Sequence, residues 1–190
     1  MMSYSKKTQS ILEEIKKEQA KTRNKLWKWV FKGTLVLLPL LVLSGARVVK
    51  MVLFDRDCGN HIKRAADANT VEMAAKEMRI VVSYLEENKM MEGYTSILYN
   101  TPDDDVGFWY NNLKSSLDEL EKVKPETTQL ERSNILLKLR ETLLDHGNDG
   151  YKVTVPSGIS VFPNNIFYAL GFFLFSIPPL FFTYRLWRRL

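Results

Sequence analysis

The pattern of hydrophobic and polar positions divides the 190-residue chain into two long apolar runs and a mixed segment between them. The later run, residues 166–184 (IFYALGFFLFSIPPLFFTY), has 19 uncharged residues, close to the ~20 that cross a bilayer core as a helix. The earlier run, residues 33–46 (GTLVLLPLLVLSGA), has 14 and reaches spanning length if the helix continues to Phe54. Arg47 and Lys50 would then extend their charged ends toward the lipid headgroups. We expect two transmembrane helices, at residues 33–54 and 161–185.

Two other interpretations of the earlier run stay open. A run of this length also fits a helix buried in a soluble core, although Trp27 and Trp29 beside it are typical of a membrane interface. The small residues LSGA at 43–46 offer a cleavage point for a signal peptide. However, 32 residues precede the run, whereas a signal peptide begins with a short basic region. A helix that stays attached is therefore the prediction.

Residues 1–32 form a polar, basic segment without Gly or Pro. Six positions in it follow the alternating four- and three-residue spacing of a coiled coil, but half of them are polar. They are Thr8, Leu12, Ile15, Gln19, Thr22 and Leu26. Three interpretations compete: a basic helix that lies on anionic lipid or extends the first span, a short coiled coil with a partner helix, and a mostly disordered arm.

The segment between the apolar runs has the spacing of amphipathic helices. Residues 61–88 contain no Gly or Pro, and six apolar residues among them share one helical face. These are Val71, Ala74, Ala75, Met78, Val82 and Leu85. The sequence NTVE resembles a capping box between Asn69 and Glu72, which predicts a break between two helices near Asn69.

Three consecutive aspartates, residues 103–105 in NTPDDDVGFWY, are the strongest local hint of chemistry. Thr101 precedes Pro102, and a hydroxyl residue before a proline is a common helix start. The carboxylates would then face the positive end of the helix dipole. A calcium loop needs aspartates separated by other residues, and here they are adjacent. We expect helix capping, with a metal or ligand site as the alternative.

Two later helices and two short extended stretches complete the segment. The helix after the aspartates is expected to end near Val123, before Pro125, and Thr128 with Glu131 forms a capping box for the next helix. That helix is expected to continue to His146 and stop at Gly147, before a turn at residues 148–150. The β-rich stretches YTSILY at 94–99 and YKVTV at 151–155 form a small two-stranded element if they pair.

The charge distribution predicts the orientation in the membrane. Residues 1–32 carry nine Lys or Arg and three Glu, and three Arg follow Tyr184, whereas residues 47–165 carry 15 basic and 19 acidic residues. The positive-inside rule therefore places both termini in the cytoplasm and the middle outside it. The predicted fold is mainly α: two transmembrane helices flank a small extracytoplasmic helical bundle at residues 55–160, with a basic segment at 1–32 and a tail at 186–190.

Ligand-type side chains collect in DRDCGNH, where Asp55, Asp57, Cys58 and His61 are close in sequence. Zinc takes four ligands and Cys58 with His61 supplies two, while haem attachment needs a second cysteine. A polar turn where the chain leaves the membrane is the main interpretation; a metal site or a redox-sensitive thiol is the alternative. A lone cysteine can still form a bridge to a second chain. No hydrolase, phosphate-loop or dinucleotide motif occurs, so we expect neither enzyme activity nor a cofactor.

The absence of catalytic motifs indicates an interaction or scaffold protein rather than an enzyme. Phe108 and Trp109 follow the aspartates at core spacing, yet the cluster Phe108, Trp109 and Tyr110 is also the best candidate for a partner surface. We expect contacts with the bilayer, with anionic headgroups through residues 1–32, and with a protein partner or a second copy. Nucleic acid is not expected, because the basic residues flank the spans. The alternative function is a ligand-sensing domain of a two-span receptor that signals through a partner chain.

Several strings in the middle segment carry a resemblance. The stretch HIKRAADANTVEMAAKEM, followed by SYLEENKMMEGYTSILYNTPDDDVGFWYNNLKSS, LLKLRETLLD and VTVPSGISVFPNN, is similar to a group of uncharacterised two-span bacterial membrane proteins, chiefly cyanobacterial. The likeness covers most of residues 58–165. It implies a helical extracytoplasmic domain and a bacterial inner or thylakoid membrane. No activity is attached to that group, so it implies no site residues.

Overall fold

A computed structural model describes residues 6–147 and 150–188, which are mainly helical with one two-stranded sheet. The helices within these ranges are α1 Lys6–Phe54, α2 Asn60–Ala66, α3 Val71–Glu87, α4 Val106–Glu121, α5 Gln129–Leu143 and α6 Asn165–Trp187. Short turns of π-helix at Asp55–Gly59 and of 3-10 helix at Pro102–Asp104 and Ile159–Val161 lie between them. The strands are β1 Leu144–Gly147 and β2 Gly150–Val153.

The chain forms two compact units, Met1–Leu43 with Gly171–Leu190 and Ser44–Leu170. In the first unit, α6 passes close to α1 at Gly171. A Cβ at that position would lie 3.1 Å from Leu43 Cδ1, so a larger residue would force the leucine to move. The close approach of α6 to α1 therefore depends on the missing side chain at this position.

Helix α1 is long and apolar enough to span a membrane. Its most apolar 18-residue window has a mean hydropathy of 2.0, and no residue of that window is buried. The interpretation as a buried core helix is therefore wrong, because such a helix would be covered by the rest of the fold. The apolar part of α6 is shorter, Asn165–Phe181, so the second span stays a prediction. Residues 6–32 form the first part of α1, so the interpretation as a mostly disordered arm is wrong for them.

Helices α2 to α5 form the core of the second unit. Helix α3 packs against α2 and α4, and α5 packs against the same two helices. The predicted apolar face of α3 is confirmed, since all six of its residues are buried. The break before α3 is also confirmed, but Thr70 rather than Asn69 is the cap, because its side chain accepts a hydrogen bond from the Met73 amide.

The sheet differs from the expected pairing. Helix α5 starts at the predicted Thr128–Glu131 capping box but ends at Leu143, not at His146. Residues 144–147 instead form β1, antiparallel to β2, with Leu144 opposite Val153 and His146 opposite Tyr151. The prediction that 94–99 pairs with 151–155 is therefore wrong, because β1 supplies the backbone partners of β2. Residues 148–149 of the expected turn and 189–190 of the tail lie outside the described residues.

Candidate functional site

The predicted polar cluster does not come together as a metal site. The segment Asp55–Gly59 is a π-helical turn that continues α1 into α2, so the expected polar turn is wrong. Phe54, Cys58 and Ile62 are all buried at four-residue intervals, and this burial holds the segment helical. Asp55 is exposed. Asp57 is bound by Arg56, whose guanidinium lies 2.6 and 2.8 Å from the carboxylate oxygens and lowers its pKa.

The buried side chain of Cys58 faces the core. Burial, together with the nearby Asp57 charge, raises the pKa of its thiol to about 12. A neutral thiol without solvent access is neither a nucleophile nor a metal ligand. Within the described residues no three His, Cys, Asp or Glu side chains converge as metal ligands.

His61 belongs to a different cluster. Its Nδ1 lies 2.6 Å from Glu77 Oε2, and Arg64 Nη2 lies 2.8 Å from Glu77 Oε1. Glu77 is buried, whereas two thirds of the Arg64 side chain is exposed. Removing a carboxylate from water is costly unless it is paired, and here two residues of α2 satisfy it. The cluster therefore fixes α2 to α3.

The three predicted interaction aromatics point in different directions. Phe108 is 64 % exposed, while Trp109 and Tyr110 are 7 % and 6 % exposed. The expectation of a surface formed by all three is wrong for Trp109 and Tyr110. Trp109 Nε1 donates to the Thr154 carbonyl at 2.9 Å, which ties α4 to the segment after β2.

Tyr110 is engaged between α3 and α4. Its hydroxyl donates to Glu86 Oε1 at 2.7 Å, and Lys114 Nζ lies 3.1 Å from the same oxygen. The two donors lower the pKa of Glu86, and the hydrogen bonds of Lys114 to Tyr110 and to Glu86 raise the pKa of Lys114. Phe108 is thus the only member of the predicted cluster that the described structure leaves available to a partner.

The three aspartates have separate roles. Asp105 caps α4 by accepting a hydrogen bond from the Phe108 amide at 2.9 Å, so α4 begins four residues later than the Thr101 start predicted. Thr101 provides no side-chain cap; Pro102–Asp104 is a 3-10 turn instead. Asp104 accepts hydrogen bonds from the hydroxyls of Thr95 and Thr101. Helix capping is therefore confirmed for Asp105 and wrong for Asp103 and Asp104, which lie before α4. Of the three aspartates, only Asp103 forms no hydrogen bond or ion pair with the described residues.

An acidic groove lies beside this turn. It has a volume of about 230 Å³ and is lined by residues of the α4 start, the end of α5, β1 and the segment after β2. The lining used below consists of Asp103, Asp105, Phe108, Asp145 and Thr154, and we call it the acidic groove. Among the described residues, the buried Thr154 Oγ1 has no hydrogen-bond partner. Three carboxylates beside an exposed phenyl ring suit a ligand that is cationic and partly apolar.

Sequence reasoning did not identify Asp145 or Thr154 as part of this groove. The sequence predicts Asp145 at the end of a helix and Thr154 in a strand that pairs with residues 94–99. Neither prediction brings the two residues to one groove. The one available signal was the sequence Asn-Asp-Gly at residues 148–150, because Asp-Gly is typical of a hairpin turn.

The coiled-coil positions of residues 1–32 line a second, larger recess. Ile15, Gln19, Thr22 and Leu26 border an open groove of about 670 Å³ whose described lining belongs entirely to α1. One helix cannot enclose a ligand, and the partner helix expected from the spacing stays a prediction.

Comparisons with protein-family models, with curated proteins and with solved structures gave no match for this chain. The resemblance to two-span bacterial proteins therefore stays a prediction. The function has to follow from the groove, the buried clusters and the apolar helices of the chain itself.

Proposed function

We propose that this chain is a membrane-anchored interaction protein, without a reaction of its own, whose helical bundle binds a protein partner outside the cytoplasm. Helix α1 is the anchor, since it is long, apolar and uncovered. Helix α6 is the second span in this proposal. The basic residues beside both helices favour cytoplasmic termini, and the resemblance to two-span bacterial proteins favours a bacterial inner or thylakoid membrane.

The exposure of Phe108 in the acidic groove is the observation that carries this function. Single exposed apolar residues are common, but this one borders a groove with three carboxylates. In the loop that precedes it along the chain, Ile97, Leu98 and Tyr99 are also exposed, at 45 %, 88 % and 72 %. Burying one phenyl side chain on binding contributes roughly 1.5–3 kcal/mol.

The charge of the groove determines the chemistry of the partner. Asp103 and Asp145 lie at its border without an ion pair to the described residues. They favour a segment in which Lys or Arg flanks an apolar or aromatic residue. Charge complementarity of this kind mainly raises the association rate and excludes acidic partners. Neither a nucleic acid nor a second acidic bundle meets this requirement.

Site-specific photo-crosslinking in the native membrane tests the proposal. A benzophenone amino acid replaces Phe108 in one variant and Met73 in a control variant; Met73 is similarly exposed, at 56 %, but lies on α3. We expect a partner crosslinked from position 108 and not from 73, attached through a basic segment identified by mass spectrometry. Asp103→Asn with Asp145→Asn should reduce the yield, and Glu126→Gln, which is exposed outside the groove, should not.

Two outcomes would contradict the proposal. Equal crosslinking from positions 108 and 73 would show random encounter instead of a binding face. No crosslink from either position, together with a small molecule that raises the melting temperature of the bundle, would favour the ligand-sensing receptor.

A further inference from the structure

A cavity separate from the acidic groove lies where the bundle begins. It has a volume of about 470 Å³, within the size range of small-molecule sites. Its lining comes from the end of α1, the end of α3 and the segment before α6, and includes Lys50, Leu53, Glu87, Lys89, Ser160 and Asn164. We call it the basal cavity. We propose that the basal cavity binds the phosphate group of an anionic phospholipid.

The ion pairs of the lining leave a positive surplus. Arg56 neutralises Asp57, the other carboxylate at the border, at 2.6 Å. Lys50 and Lys89 form no ion pair with any described residue, and Glu87 is the one remaining carboxylate in the lining. Two ammonium groups, one carboxylate and one phosphate diester together sum to zero charge. A single phosphate diester therefore neutralises the cavity, whereas a cation would add to its positive charge.

Lys89 is held in a conformation that helices usually give to glycine. It follows the C-cap Asn88 with φ of 57°, and the Met90 amide donates to the Leu85 carbonyl at 2.8 Å, as in a Schellman motif. A left-handed lysine is uncommon, and a strained residue of this kind points to a role for its side chain. In this position the chain turns back after α3, and the lysine borders the cavity.

The position of the cavity along the chain fits a lipid better than a free anion. Lys50 and Leu53 belong to the last turn and a half of α1, after the apolar run that we propose to cross the bilayer. Asn164 immediately precedes α6, which starts at Asn165. Leu53 and Phe162 are half-buried and give the cavity an apolar part that suits the glycerol and upper acyl carbons. This inference rests on the proposed membrane insertion of α1.

The test measures lipid binding to the full chain in an uncharged maltoside detergent. Dihexanoyl phosphatidylglycerol and, separately, inorganic phosphate are titrated, and the bound fraction is read by native mass spectrometry. The cavity variant carries Lys50→Gln and Lys89→Gly. The control variant carries Lys63→Gln and Lys76→Gln, two exposed lysines outside the cavity that also form no ion pair with described residues. Both variants lose two positive charges.

We expect the cavity variant to bind the lipid at least about tenfold more weakly than the unchanged chain, because charge-assisted hydrogen bonds are lost, and the control to stay within about twofold. Lys89→Gly relieves the strained backbone, so a lower melting temperature does not explain the loss. Equal weakening in both variants would overturn the proposal in favour of non-specific attraction. Inorganic phosphate binding as tightly as the lipid would overturn the lipid assignment.

Membrane anchoring is scored separately, by alkaline carbonate extraction of the same variants from cell membranes. If the unchanged chain is extracted as a soluble protein, the anchoring is wrong. If all variants stay in the membrane and the cavity variant alone loses lipid, the anchoring and the cavity assignment are both supported. A chain that stays in the membrane and shows no difference between the two variants refutes the cavity assignment alone.

Discussion

Cys58 should be almost inert toward thiol reagents in the folded chain. It is the single cysteine, its side chain is 0 % exposed, and burial raises the pKa of its thiol from 9.0 to about 12. At pH 8 the thiolate fraction falls from roughly one tenth at the ordinary value to roughly one ten-thousandth, a change of about a thousandfold. Steric exclusion from the core lowers the rate further. A disulfide between two folded chains is not expected for the same reasons.

The assay is the reaction of the full chain in detergent with Ellman's reagent at pH 8. One equivalent should react quickly after unfolding in urea, and the folded chain should react at least about a thousandfold more slowly, at a rate that reports transient opening of the core. Ser115 is exposed on α4, so Ser115→Cys in a Cys58→Ala background provides a fast-reacting control. Reaction of folded Cys58 within about tenfold of that control would refute the reasoning.

The same thiol makes stability depend on pH above 9. The unfolded chain loses the thiol proton near pH 9 while the folded chain keeps it until about pH 12, so the unfolded state is favoured as the pH rises. The slope contributed by Cys58 approaches about 1.4 kcal/mol per pH unit within this window. Cys58→Ala should remove that part of the slope. Parallel curves for the two chains between pH 9 and 11 would contradict the pKa assigned to the buried thiol.

Three further substitutions test the contacts that hold the bundle. Glu77→Gln removes the charge that pairs with Arg64 and should lower the free energy of unfolding by about 1–2 kcal/mol, measured as a shift of the urea midpoint. The expected loss is smaller than for a fully buried ion pair, because Arg64 is largely solvated. Thr128→Ala removes the α5 cap and should cost about 1 kcal/mol on the same measurement, and an unchanged midpoint would rule out that role. Trp109→Phe leaves the Thr154 carbonyl unpaired and should lower the free energy of unfolding by about 1–3 kcal/mol. Amide hydrogen exchange in the segment after β2 should become faster, and unaltered exchange there would count against the contact.

Local signals explain the parts of the fold that the sequence predicts correctly. The face of α3 and the capping box at Thr128 each depend on residues three or four positions apart, which a helix brings together without help from the rest of the chain. The spacing of Phe54, Cys58 and Ile62 carried the same kind of signal. It was missed because the polar residues between them resembled a turn, although only one face of a helix needs to be apolar.

Features assembled from distant parts of the chain could not be predicted in the same way. The burial of Trp109 depends on a carbonyl 45 residues away, and the basal cavity combines Lys50 with Lys89. Residues 144–146, predicted as the end of a helix, belong to strand β1 instead, because β2 supplies backbone hydrogen-bond partners that helix propensity does not take into account. One-dimensional spacing contains no information about such pairings.

The segment that joins β2 to α6 connects the two proposed sites. Thr154 lines the acidic groove, and Phe162 lines the basal cavity. The Phe162 ring also packs against Gly93, so closely that a Cβ at that position would lie 3.3 Å from the ring. Gly158 lies between Thr154 and Phe162, and its carbonyl accepts a hydrogen bond from Asn165 Nδ2 at 3.0 Å, which restrains the segment. If a partner in the groove shifts this segment, lipid affinity must change, and thermodynamic linkage requires the lipid to change partner affinity by the same factor. Lipid titrations with and without the partner would therefore measure the coupling in both directions at once, and a ratio of one would show that the segment behaves as a rigid support.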